Sequence, residues 1–69
     1  MVLIKDYNKR TFAITGATQV MFAKLTELGG KVENLILEGK RAAYWTFPMR
    51  KKNSLIDYFI ISDIDYKND

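Results

Sequence analysis

Apolar and polar positions alternate through the first fifteen residues and then change period. Val2 to Tyr7 and Arg10 to Thr15 are short segments rich in β-branched and aromatic side chains, with Asn8-Lys9 between them. Asn tolerates positive φ at a tight connection, so the two segments predict a β-hairpin with Ile4 near Phe12 or Ile14 on a shared face. From Val20 to Leu28 the period becomes helical, with Met21, Leu25 and Leu28 on one stripe, flanked by Val20 and Ala23, and Lys24 and Glu27 on the other side. Thr15 or Thr18 is placed to cap its start, and Gly29-Gly30 to end it in a left-handed turn. Lys31 to Leu37 reads as a strand, Glu38-Gly39 as a turn and Lys40 to Phe47 as a second strand closed by Pro48. Period-2 alternation puts Ala43, Trp45 and Phe47 on one face of that strand and Ala42, Tyr44 and Thr46 on the other, the first face being the more apolar.

The last periodic segment, Arg50 to Ile61, carries Leu55, Ile56, Phe59 and Ile60 on one helical face. A rival reading makes residues 58–64 a strand, because they are rich in isoleucine and aromatics; the helix is preferred. The order β-β-α-β-β-α predicts an α+β fold in two layers: a four-stranded antiparallel sheet with both helices on one face and the other face wet. Residues 1–62 form the expected single domain. Residues 63–69 are polar and acidic, and are expected to fray.

At 69 residues the chain holds one core, and a domain of this size buries only ~60% of the surface its unfolded chain exposes. Such a core leaves about 3–5 kcal/mol of net stability. Cysteine and histidine are both absent, which excludes a disulfide staple and removes the usual ligands of a structural zinc. Tight packing or self-association remains. The 48% apolar content and nine aromatic residues support a packed core and argue against disorder. No apolar run approaches the ~18 residues of a membrane span, and Met1 to Asp6 lack the pattern of a signal peptide. A cytoplasmic protein with no membrane partner is expected.

Catalysis has little to draw on. Two of the usual acid, base and nucleophile types are missing, Gly29-Gly30 is not followed by the Lys-Ser or Lys-Thr of a phosphate loop, and the paired Asp63 and Asp65 sit in the expected tail. No enzyme, cofactor or metal is expected. Charge is more informative: the net charge is +3, and Lys31, Lys40, Arg41, Arg50, Lys51 and Lys52 make the middle of the chain basic, while Asp57 to Asp69 is acidic. A basic segment suits an anionic partner, although a solvated surface has the same composition. Arg50-Lys51-Lys52 open the last helix, where the dipole disfavours cations; either a bound phosphate relieves that conflict, or the three precede the helix and are solvated. If Lys40-Arg41 lie nearby, five cations surround Tyr44, which points away from the core face and can stack on a base. Trp45 is expected in the core, and Tyr7 is a weaker stacking candidate.

Leu28-Gly29-Gly30-Lys31, Asn34, Leu37, Gly39, Trp45-Thr46-Phe47-Pro48 and Lys51-Lys52 occur in an order and spacing that resembles a short domain of large DNA viruses, phages and mobile elements. The likeness covers about half the chain. Val32 and Glu33 depart from it, where such domains carry an aromatic residue. The resemblance implies a compact, β-rich accessory domain and, through the company such domains keep, work related to nucleic acid.

Three functional readings follow. In the first, Lys31, Lys40, Arg41, Arg50, Lys51 and Lys52 meet phosphates and Tyr44 stacks, in a small nucleic-acid-binding protein of a phage or virus. In the second, the chain is an inhibitor or adaptor that binds a host protein through its aromatics and arginines. In the third it is a homo-oligomer whose strands pair edge to edge, a ligand-binding sponge being one variant.

Overall fold

A computed structural model describes residues 1–68. Strands β1 (Val2–Asp6), β2 (Thr11–Thr15), β3 (Lys31–Leu37), β4 (Lys40–Pro48) and β5 (Tyr66–Asn68) form one sheet in the order β3-β4-β2-β1-β5. Helices α1 (Phe22–Glu27) and α2 (Lys52–Ile61) are each entered through a 3-10 turn, Gln19–Met21 and Met49–Lys51. The first four strands pair antiparallel and β5 pairs parallel to β1. The fold is α+β and a single small domain, but its sheet has five strands and is mixed, where four antiparallel strands were expected.

Local chemistry explains each boundary. In the first hairpin Ile4 pairs with Ile14, and Asn8 Oδ1 accepts from the backbone N–H groups of Arg10 and Thr11 at 2.8 and 2.9 Å, an Asx turn. The β3–β4 turn has positive φ at Glu38 (52°) and Gly39 (78°), the mirror-image turn that suits strand twist. Helix α1 ends as expected: Gly29 (φ 94°) donates to the carbonyl of Thr26 and Gly30 to that of Leu25, which satisfies two orphan carbonyls. Its start is capped by no side chain; the carbonyl of Thr18 takes the N–H of Met21 instead.

Helix α2 ends in the same motif without a glycine. Asp63 (φ 56°) donates to Ile60 and Ile64 to Phe59, which returns the chain to the sheet. A non-glycine residue in the left-handed region costs about 1 kcal/mol. Asp63→Gly is therefore expected to stabilise the fold by about 0.5–1 kcal/mol, read as a melting temperature raised by several degrees. An unchanged or lower midpoint would show that Asp63 contributes something its backbone does not reveal.

The core lies between the sheet and the two helices. Val2, Ile4, Phe12, Ile14 and Phe47 from the sheet meet Met21 and Leu25 from the α1 region and Leu55 and Phe59 from α2. The Phe12 and Phe47 rings stack at 5.3 Å. Both helices thus cover one face, as the periodicity predicts, and residues 58–61 are helical and not strand.

Two expectations are corrected. Residues 66–68 are not frayed: Val2 pairs with Tyr66 and Ile4 with Asn68, and the Tyr66 ring lies 5.6 Å from that of Phe59. Ile64 and Tyr66, two residues apart, both pack against the core, so the segment gains enough apolar burial to hold a strand. Asp69, the end of the expected tail, lies outside the described residues. The second face is not simply wet either. β2 stops pairing with β4 at Ile14–Trp45, whereas β3 and β4 continue to Leu37–Lys40. The free ribbon coils over the sheet far enough for Glu38 at its tip to pair with Lys5 on β1. Beneath it Ala13, Tyr44 and Thr46 are buried, and a cleft of about 570 Å³ remains between Leu3, Ala13, Leu37, Ala42 and Tyr44.

Candidate functional site

The cations singled out in the sequence fall into separate groups. Lys40 and Arg41 stand at the start of β4 and Arg50 just beyond its end. At ~3.4 Å per residue the strand separates the two ends by about 27 Å along its length, so five cations do not converge on Tyr44. Tyr44 itself is 7% exposed: the coiled ribbon covers its face, and the expected stacking platform is closed. Trp45 is half-buried against the core, with Phe22 5.4 Å away.

Lys52 is already engaged. It is the first residue of α2, its ammonium donates to Asp6 Oδ1 at 2.9 Å, and it lies 5.9 Å from the centroid of the Phe12 ring. Asp6 thus neutralises the cation that opens the helix. Arg50 and Lys51 precede α2 in the 3-10 turn, Lys51 as its N-cap.

The remaining cations meet at one end of the sheet. The β1–β2 turn, the start of β3 and the exit of β4 all lie there, and they enclose a groove of about 530 Å³. Arg10 enters it from the turn, Lys31 from β3 and Arg50 from the 3-10 turn, beside Tyr7 and Asn8, with Glu33 as its acid. The backbone fixes this meeting: Met49 N–H donates to the carbonyl of Arg10 at 2.7 Å, and Thr11 pairs with Pro48. Thr46 Oγ1 donates to the carbonyl of Lys31 at 3.3 Å. Arg10, Lys31 and Arg50 are exposed, and among the described residues none of the three is in an ion pair. Tyr7 is 42% exposed.

Lys31 and Arg50 were legible as candidates; Arg10 was not, because it reads as the first residue of a strand. Its role becomes visible only when the hairpin turn is folded against the end of β4. The run Tyr7-Asn8-Lys9-Arg10 was the available signal: a cationic turn flanked by an aromatic residue.

No family model, curated protein or solved structure matches this chain. No helix among the described residues is long and apolar enough to cross a membrane.

Proposed function

We propose that this chain is a small, non-catalytic module that binds single-stranded nucleic acid in the groove between the β1–β2 turn and the exit of β4, as an accessory protein of a phage, virus or mobile element. The observation that carries the reading is the convergence of Arg10, Lys31 and Arg50 from three separate elements on one open groove, beside an exposed tyrosine. Three guanidinium and ammonium groups in one groove, in no ion pair among the described residues, repel each other until an anion arrives. A sugar-phosphate backbone is such an anion, and its counterions are released on binding. Tyr7 at the rim favours a single strand, because unpaired bases offer a π-face that a duplex hides. Backbone contacts of this kind give affinity without sequence choice. The setting rests on the resemblance of the Leu28-to-Lys52 pattern.

The test is fluorescence anisotropy with labelled single-stranded DNA, single-stranded RNA and duplex DNA at two salt concentrations. Single strands are expected to bind better than duplex, with affinity that falls steeply as salt rises. Absence of binding to every probe at low salt would remove the reading and leave the groove a solvated end of the sheet.

A further inference from the structure

We infer that two copies of this chain associate through β3, edge to edge and antiparallel, about a two-fold axis at Asn34. The inference does not depend on the nucleic-acid reading, and its failure would leave that reading standing.

β3 is the long open edge of the sheet. It has seven residues, against three for β5 at the other edge. Its pairing with β4 runs without a break from Lys31–Thr46 to Leu37–Lys40, so no bulge or proline blunts it, the usual devices that keep an edge from pairing. Hydrogen-bond parity follows from the turn. In a two-residue hairpin the residues that flank the turn, here Leu37 and Lys40, form a hydrogen-bonded pair, and such pairs recur at every second residue. Leu37, Leu35, Glu33 and Lys31 therefore spend their backbone groups on β4, where the Thr46 side-chain hydroxyl also reaches the Lys31 carbonyl. Val32, Asn34 and Ile36 turn their N–H and C=O groups outward.

Those same three residues make the edge self-complementary. Centred on Asn34, an antiparallel pair overlaps all seven residues of β3 and sets Asn34 against Asn34 of the second copy. Val32 then faces Ile36 of the second copy, on both sides of the axis. Val32 and Ile36 are 58% and 53% exposed, too much for branched apolar side chains on an edge strand to gain from the monomer alone. They share the face of Trp45, which is directly opposite Val32 and touches the half-exposed ring of Phe22. On the other face Glu33 meets Leu35 and Lys31 meets Leu37 of the second copy, so no like charges stand directly opposite. Shifting the axis by one residue to Glu33 would set Glu33 against Glu33. A second copy is also the staple that a 69-residue chain without cysteine otherwise lacks.

Light scattering coupled to size exclusion, at the highest concentration at which the protein is soluble, is expected to give twice the chain mass of 8.0 kDa. A mass of 8.0 kDa there overturns the inference. Asn34→Pro removes an outward N–H that β4 does not use, a position where an edge strand accepts proline, and is expected to give a folded monomer. Ile36→Lys alters only an exposed side chain and is expected to do the same, so it decides the matter if the proline variant is unfolded by circular dichroism. Dimers that survive Ile36→Lys would overturn this edge as the interface. Register is read by single cysteines in a chain that has none. Asn34→Cys places two thiols on directly opposed residues about 5.5 Å apart, and is expected to cross-link with a short bis-thiol-reactive reagent. Val32→Cys leaves its thiols roughly 13 Å apart and is expected to stay monomeric under denaturing, non-reducing electrophoresis. The reverse pattern overturns the register.

Discussion

Gly30→Ala is expected to be among the most damaging conservative substitutions in this chain, and worse than Gly29→Ala next to it. Residue 29 is the one with the unusual backbone: its φ is 94°, yet a Cβ there would meet nothing within 4 Å. Alanine at 29 thus costs only the left-handed penalty, about 1 kcal/mol. At residue 30 the position is reversed. The backbone is ordinary, but the residue is buried, and a Cβ would lie 2.7 Å from Phe47 Cζ and 2.8 Å from the Leu25 carbonyl oxygen. Phe47 is 1% exposed and stacked on Phe12, so its ring has nowhere to go. The Leu25 carbonyl is held by the N–H of Gly30 itself at 2.8 Å. Relief requires breaking the helix cap or displacing the core stack. Overpacking of this kind costs about 1–3 kcal/mol, most of the ~3–5 kcal/mol such a domain holds. Thermal unfolding should show a midpoint lower by ~10 °C or more for Gly30→Ala, and by half that or less for Gly29→Ala. Equal losses at both positions would mean that the helix end, and not the contact with Phe47, sets the requirement for glycine.

The pair also shows what the sequence could and could not disclose. Gly29-Gly30 marks the end of α1 unmistakably, because a left-handed residue after an apolar stripe has one common use. It does not disclose that the second glycine is there for space. The first hairpin, with Ile4 near Phe12 or Ile14, and the Glu38-Gly39 turn were readable for the same reason: each follows from residues close in sequence. What was missed depends on distant ones. β5 is held by Val2 and Phe59, and only the spacing of Ile64 and Tyr66 within a polar tail hinted at it. Tyr44 sits on the face that alternation assigns it, but alternation cannot show that a coiled ribbon covers that face. Lys52 reads as a free cation until β1 brings Asp6 within 2.9 Å, 46 residues away in sequence. Of the candidate site, Lys31 and Arg50 were legible as charges, while their meeting with Arg10 belongs to tertiary structure.

Converting Arg10, Lys31 and Arg50 together to alanine is expected to weaken oligonucleotide binding about a hundredfold at ~0.1 M salt, whereas Lys40→Ala with Arg41→Ala leaves it nearly intact. The first estimate follows from counterion release: each cation that neutralises a phosphate of a single strand contributes about 0.7 to the slope of log affinity against log salt. Losing three lowers that slope by about 2 and the affinity at ~0.1 M by the same power of ten. The side chains of all three are exposed and outside any ion pair among the described residues, so circular dichroism and melting temperature should stay put, and lost binding cannot be blamed on lost fold. The second estimate follows from position: Lys40 and Arg41 stand at the opposite end of β4 from Arg50, about 27 Å along the strand, do not line the groove, and contribute only a screened, longer-range attraction. Tyr7→Ala separates the remaining term. Stacking contributes about 1–3 kcal/mol per base and is insensitive to salt, so this variant should lower affinity for single strands while the salt slope holds, and should narrow the difference between single strand and duplex. If instead the Lys40 and Arg41 pair weakens binding as much as the groove triple, the strand tracks the ribbon and not the groove. If Tyr7→Ala changes the slope, the tyrosine acts by shaping the cationic turn and not by stacking.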